Sequence, residues 1–192
     1  MPRSVNHDDR KVQIAQTAWR ITADEGRAAA TIRRVAAELG ASTTIVTQAF
    51  ASKADMMSFA YKLRLDSWMR GREEAAAGLS DPSERLRTLL LDTCPMDDDG
   101  FSESRVWIEA LATPTPAPRV QSAITEYNDW WKDLLSQTLA ALGASPELAY
   151  PLQALAWGIN AAAVEDPAMW PPSRIEATID VVLDSLGLVT TG

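Results

Sequence analysis

The chain has 192 residues, 46% of them hydrophobic, with a formal net charge of −8, one cysteine (Cys94) and one histidine (His7). That length holds one large domain, or a small one joined to a larger one, with apolar residues enough for a core. The lone cysteine excludes an internal disulfide framework and fits a reducing cytosol, and one cysteine and one histidine far apart in sequence argue against a zinc site or a Cys–His catalytic pair.

The hydrophobic pattern is helical throughout, with no paired strand signal. A first helix is expected from Asp8 or Asp9 to Glu25, with Ile14, Ala18 and Ile21 or Thr22 inward and Gly26 after it. Thr31 caps a second helix whose apolar stripe is Ile32, Val35, Ala36 and Leu39. Gly40 stops it, because glycine enters the left-handed backbone region without steric cost. Ser42 restarts the chain as a third helix, with Val46 and Phe50 one turn apart on its buried side. A fourth helix starts at Ser52, with Asp55 completing a capping box, and runs through Met57, Tyr61, Leu65 and Trp68 to about Ala77.

Asp81-Pro82-Ser83-Glu84 opens the fifth helix, which carries Leu86, Leu89 and Leu90 and ends near Cys94-Pro95. The acidic run Asp97 to Asp99 with Gly100 reads as a solvated loop before a sixth helix over about Ser102 to Ala112. Pro114, Pro116 and Pro118 break the chain, and a long seventh helix follows from Arg119 to Leu142, ended by Gly143. Ser145-Pro146-Glu147 opens an eighth helix rich in small residues. Ser173, boxed by Glu176, caps a ninth that runs through Ile175, Ile179, Val182, Leu183 and Leu186 to Gly187. Residues 1–13 are polar and charged, so no signal peptide is expected, and no apolar run approaches the roughly 20 residues of a membrane span. A cytoplasmic protein without membrane attachment, metal or cofactor is the expectation.

Charge is segregated. Residues 1–72 hold 12 Lys/Arg and 7 Asp/Glu, a net +5, whereas residues 73–192 hold 6 and 19, a net −13. The basic part coincides with the hairpin of the second and third helices, as expected where one end of an acidic chain meets phosphates. An ordinary helical hairpin in a bundle is the competing reading.

Residues 14–57 resemble the DNA-binding domain of TetR-type transcriptional regulators. The resemblance is carried in order and without a gap by Gly26, Thr31-Ile32-Arg33, Val35-Ala36, Gly40-Ala41-Ser42 and Phe50-Ala51-Ser52-Lys53. The second part resembles, in fewer residues, BetI-like members: Arg105-Val106-Trp107, Tyr127 to Trp131, and the small-residue helix followed by Asp166-Pro167. This chain departs from the family at several positions. The family usually has a phosphate-touching tyrosine where Thr47 stands, often a glycine where Thr44 stands, and a histidine or tyrosine near Gln48 and Ala49. It usually has a phenylalanine where Thr22 stands, and Trp19 is expected to compensate for that in the core.

The resemblance implies an all-α chain. Residues 1–53 would form a three-helix helix-turn-helix DNA-binding domain, and residues 54–192 a helical ligand-binding and dimerisation domain. The implied function is a sequence-specific, ligand-responsive repressor, not an enzyme, that binds a palindromic operator in double-stranded DNA as a homodimer. On the residues themselves, Ser42, Thr43, Thr44, Thr47 and Gln48 would face the major groove, Gln48 pairing with adenine and the threonine methyls meeting thymine methyls. Phosphates would be held by Thr31 and the amides that follow it, by Arg33 or Arg34, and by Lys53, with Arg3, Arg10 and Lys11 as an arm. Trp68, Trp107, Tyr127 and Trp131 would line an effector cavity, with Glu109 or Glu126 beside them for a cationic ligand; packed core is the competing fate of each ring. Ala154, Gly158 and Ala162, with Ile175, Ile179, Val182 and Leu186, would form the dimer surface, or pack inside one subunit. The alternative function is a helical small-molecule- or partner-binding protein that has lost DNA binding.

Overall fold

The computed structural model describes residues 7–111 and 118–188, and these form nine α-helices and one short 3-10 turn. Arg3, Pro114 and Pro116 lie outside the described residues. The helices are α1 (His7–Glu25), α2 (Ile32–Glu38), α3 (Thr43–Ala49), α4 (Lys53–Ala77), α5 (Pro82–Leu91), α6 (Asp98–Leu111), α7 (Pro118–Ala141), α8 (Ala149–Glu165) and α9 (Pro172–Ser185). They group into two compact units, one reaching to Ser67 and including Glu109–Ile124, the other comprising Trp68–Ile108 and the chain from Thr125 onward. A division after Lys53 therefore falls inside the first unit, because the first turns of α4 are part of its core.

In the first unit Ile14, Ala18 and Ile21 of α1 are buried as their spacing requires, together with Val35, Ala36, Val46, Met56 and Met57. Thr22 is also buried; its hydroxyl donates to the Ala18 carbonyl at 2.8 Å, so a polar side chain fits an apolar position by bonding its own helix. Trp19 packs edge-on against Tyr61 with ring centroids 5.4 Å apart, supplying the aromatic bulk that Thr22 lacks. Gly40 has φ of +60°, and the Gly40 and Ala41 amides bond back to the Ala37 and Ala36 carbonyls, which closes α2 and turns the chain sharply into α3. Ser52 caps α4 by accepting from the Asp55 amide at 3.0 Å, while the Asp55 carboxylate reaches back to the Ala51 amide.

In the second unit α5, α7, α8 and α9 enclose a core that includes Leu86, Leu89, Trp131, Leu135, Leu152, Ile159, Ile175, Ile179 and Leu183. Arg87 fastens α5 to α9 through two bonds to the Asp180 carboxylate, at 2.6 and 3.0 Å, and the guanidinium holds that carboxyl below its usual range. Three boundaries differ from expectation. The acidic run is not a loop: Asp97 accepts from the Gly100 amide at 2.7 Å, and Asp98 and Asp99 form the first turn of α6, where carboxylates complement the helix dipole. Residues 146–148 wind as a 3-10 turn before α8 begins. Ser173 lies inside α9 rather than capping it, because Pro172 takes the first helical position, where no amide hydrogen is needed.

Cys94 is buried with its sulfur facing the Leu90 and Ala156 carbonyls, and burial pushes its thiol up to about 12. The folded protein at pH 8 is expected to leave a disulfide-type thiol reagent unconsumed and to titrate one thiol only after denaturant is added. Stoichiometric reaction of the native protein within minutes would contradict this packing.

Candidate functional site

α3 is seven residues long and anchored on one side only. Val46 and Phe50 are buried, while Ser42, Thr43, Thr44, Thr47 and Gln48 are all exposed. The 3.6-residue period turns Thr44 and Gln48 to the face opposite Val46, with Thr47 flanking it, while Ser42 and Thr43 are exposed at the open N-terminal end of the helix. Ser42 stands at the cap position without a side-chain bond to the helix. Thr47 donates to the Thr44 carbonyl at 3.1 Å, which fixes its hydroxyl and leaves its methyl for apolar contact.

The cationic side chains around this face divide into tethered and free. Arg34 is tethered: it bonds Glu25 of α1 at 2.6 Å and Glu38 of its own helix at 2.6 Å, and these carboxylates hold its guanidinium charged. Arg20 joins the network through Glu38 at 2.8 Å. Arg33 is exposed and has no ion pair among the described residues. Of the two arginines, Arg34 thus joins α1 to α2, and Arg33 is the one available to a phosphate. Thr31 accepts from the Arg34 amide at 3.1 Å, so its hydroxyl caps α2.

Lys53 is tethered as well. Its ammonium donates to the Arg27 and Ala28 carbonyls at 2.8 and 3.3 Å, and burial, with Arg27 nearby, lowers its pKa. In this geometry Lys53 ties the turn after α1 to the start of α4. The brace occupies two of the three ammonium donors. Arg10 bonds Gln13 weakly, at 3.5 Å, on the exposed side of α1.

In the second unit Trp68, Trp107 and Tyr127 meet with centroids 6.0–6.3 Å apart, and Tyr127 continues to Trp130 and Trp131. Trp131 is 0% exposed and sits in the core, so it is packing as well as lining. Glu109 is exposed and belongs to the first unit, where its charge bears on Tyr61. Glu126 is exposed on α7. Within the cluster, Glu103 accepts from Trp68 Nε1 at 2.9 Å and Glu73 from Trp130 Nε1 at 2.8 Å.

A residue that sequence reasoning missed stands at the centre of the cluster. Arg72 is 5% exposed, donates to the Tyr127 hydroxyl at 2.8 Å and the Asp92 carbonyl at 2.9 Å, and lies 5.8 and 5.6 Å from the Tyr127 and Trp131 ring centroids. The signal was present: Leu65, Trp68, Arg72 and Ala76 share one helical stripe, which puts an arginine on a core face.

On α8, Ala154 and Gly158 are exposed and Ala162 half-buried; a Cβ built at Gly158 meets nothing within 4 Å. On α9, Leu186 is exposed and Val182 half-buried, but Ile175 and Ile179 are 0% exposed. These two isoleucines face the subunit's own core and are withdrawn from the expected dimer stripe. Tyr150, Met169 and Val181 are the large apolar side chains exposed nearby in sequence.

A seven-residue helix, held by a glycine turn against two others and offering one short polar face, is the geometry of a helix-turn-helix reading element. Joined to a second, all-helical unit, it defines the class of helix-turn-helix regulators. Residues 82–188 match the family model for the C-terminal region of BetI-type transcriptional repressors. The chain belongs to this BetI-type family of TetR regulators, which are regulators of transcription and not enzymes.

The HTH-type transcriptional regulator PksA of Bacillus subtilis (strain 168) is 28% identical over 112 residues, 58% of this chain and 55% of that protein. The chain thus spans about half the length of the curated relative that it matches. A transcriptional regulator from Saccharomonospora viridis, solved in complex with choline, shares the fold at a TM-score of 0.82 and 22% identity, covering 92% of this chain and 96% of that one. A TetR regulator from Haloarcula marismortui ATCC 43049 does so at 0.78 and 18%, covering 94% and 97%. Among the described residues no helix is long and apolar enough to cross a membrane, and no group of three His, Cys, Asp or Glu is placed to hold a metal.

Proposed function

We propose that this chain is a ligand-responsive repressor that acts in the cytoplasm and binds a palindromic operator as a homodimer, reading bases with α3. The observation that carries the reading is the unbroken exposed face Ser42, Thr43, Thr44, Thr47 and Gln48. Short hydroxyls and one carboxamide suit base edges in a major groove: Gln48 offers a paired hydrogen bond to adenine, and the threonine methyls meet thymine methyls. Arg33 supplies phosphate contact, and Arg34 and Lys53 hold the element in shape. Thr31 stays with its cap.

One such element reads too few bases for a specific site, so a second copy is required, with recognition helices about 34–36 Å apart on one turn of DNA. The surface proposed for pairing is Ala154, Gly158 and Ala162 with Val182, Val181 and Leu186. The effector is proposed to bind at Trp68, Trp107 and Tyr127; the choline complex of the Saccharomonospora regulator supports a small organic ligand for this fold. α4 runs unbroken from Lys53 to Ala77, so a ligand that prefers one state of its second half biases the first. DNA affinity then falls by the ligand's differential affinity for the two states and by no more.

Selection of bound fragments from random DNA by the purified chain tests this. A palindromic consensus with half-sites about 10–10.5 base pairs apart is the expected product. Gln48→Ala is expected to relax preference at one base position while costing about 1–3 kcal/mol on the best site. Equal losses on every sequence would remove Gln48 as a reader. Affinity that does not respond to salt would instead favour a helical binding protein without DNA function.

A further inference from the structure

The aromatic cluster of the second unit already contains a cation. The Arg72 guanidinium lies over the faces of Tyr127 and Trp131, at 5.8 and 5.6 Å from their centroids. A cationic ligand brought to those faces meets a like charge in a poorly solvated place, which is unfavourable.

The partners of Arg72 are unequal to it. Two of its bonds go to neutral oxygens, the Tyr127 hydroxyl and the Asp92 carbonyl. Its Nε lies 2.9 Å from Asp92 Oδ2, an ion pair without hydrogen-bond alignment. The side chain of Arg72 is 6% exposed and that of Asp92 is 52% exposed. Asp92 is thus able to turn to water, and Arg72 is not able to follow. A buried guanidinium with one loosely held carboxylate has room in its electrostatics for a second anion.

The neighbouring indoles point the same way. Trp68 Nε1 donates to Glu103 at 2.9 Å and Trp130 Nε1 to Glu73 at 2.8 Å. Trp131, beneath the guanidinium and 0% exposed, has a buried Nε1 with no acceptor. Buried polar groups are otherwise almost always bonded, so the Trp131 Nε1 donor, on the ring beneath the guanidinium, marks a missing acceptor.

We infer that the small molecule taken by this cluster is an organic anion: a carboxylate received by Arg72 and Trp131 Nε1, on an apolar body lying against Trp68, Trp107 and Tyr127. The inference rests on the cluster being the ligand site, and it reverses the charge expected from the tryptophans alone.

Three probes of similar small size test it on the full chain: phenylacetate, 2-phenylethanol and choline, each followed by tryptophan emission and thermal shift. Phenylacetate is expected to saturate the emission change and raise the melting temperature. The alcohol is expected to bind at least about tenfold more weakly, as the loss of a charge-assisted bond implies, and choline not to bind in the same range. Asp92→Asn removes the competing carboxylate and is expected to tighten phenylacetate binding several-fold. Trp131→Phe, which keeps the ring and deletes the donor, is expected to weaken it several-fold, with folding checked by circular dichroism. Choline binding in place of phenylacetate overturns the inference. So does phenylacetate affinity unchanged in both variants, or no binding by any probe at millimolar concentration. DNA binding is measured separately on the selected operator. Anion binding that leaves DNA affinity unchanged keeps the ligand class and sinks the regulatory role of the cluster.

Discussion

Thr44→Glu is expected to abolish operator binding while leaving the protein folded. Thr44 is exposed at the second position of α3, so no core contact is lost. A carboxylate in the first turn of a helix is favourable by a few tenths of a kcal/mol to about 1 kcal/mol, so the melting temperature should hold or rise slightly. Against DNA the same charge faces two rows of phosphates and displaces a hydroxyl from the base edges. Like-charge juxtaposition at an interface costs several kcal/mol, and a dimer carries the change twice. Affinity should fall by more than about 100-fold on specific and non-specific DNA alike, the equivalent of at least about 2.7 kcal/mol. A mobility-shift titration at fixed salt, with the melting curve beside it, reads both quantities. Affinity within about threefold of the parent chain would mean that this face is turned away from DNA, and the reading of α3 would fall with it.

Arg72→Ala is expected to be among the most destabilising single changes in the second unit. It deletes the donors to the Tyr127 hydroxyl and Asp92 carbonyl, removes the ion pair to Asp92, and opens a cavity beneath Tyr127 and Trp131. Losing a hydrogen bond made by a charged group costs about 1.5–3 kcal/mol, and the cavity adds to it. Two features moderate the sum. Asp92 is half-exposed and regains water, and the Tyr127 hydroxyl, whose ionisation burial already opposes, stays neutral without its partner. Arg72→Met separates the contributions: it fills the space without the charge and should recover about half of the loss. Urea denaturation at fixed protein concentration gives both values. If alanine and methionine cost the same, packing contributes nothing and the polar contacts carry the whole effect; if neither costs more than about 0.5 kcal/mol, the surface-substitution range, Arg72 is not the buried centre described here.

Much of this was legible in the residues. The helices of the first unit have boundaries set by local chemistry: Thr31 and Ser52 cap, Gly40 turns, and each acts through neighbours within four residues. The same holds for the polar face of α3, since the period that buries Val46 and Phe50 also exposes Thr44 and Gln48. Boundaries went astray where two local signals competed. Ser173 reads as a cap until Pro172 claims the first helical position, and the acidic run reads as a loop until Asp97 caps Gly100.

The roles of the charged residues were not legible, because they depend on groups distant in sequence. Nothing in Arg33-Arg34 distinguishes the two; α1 does, by bringing Glu25 to one of them. Lys53 follows a helix-opening motif, yet its ammonium is spent on carbonyls 25 and 26 residues away. Glu109 and Glu126 were the carboxylates expected beside the tryptophans, whereas Glu103 accepts from Trp68 Nε1. The amino-acid order alone determined the helical class, the turn between α2 and α3, and the exposed polar face of α3, since periodicity and capping are properties of a few consecutive residues. Tertiary packing decided which cations are free, which isoleucines of α9 are buried, and that Arg72 lies over the Tyr127 and Trp131 rings, because burial and ion pairing are settled only when separate helices meet.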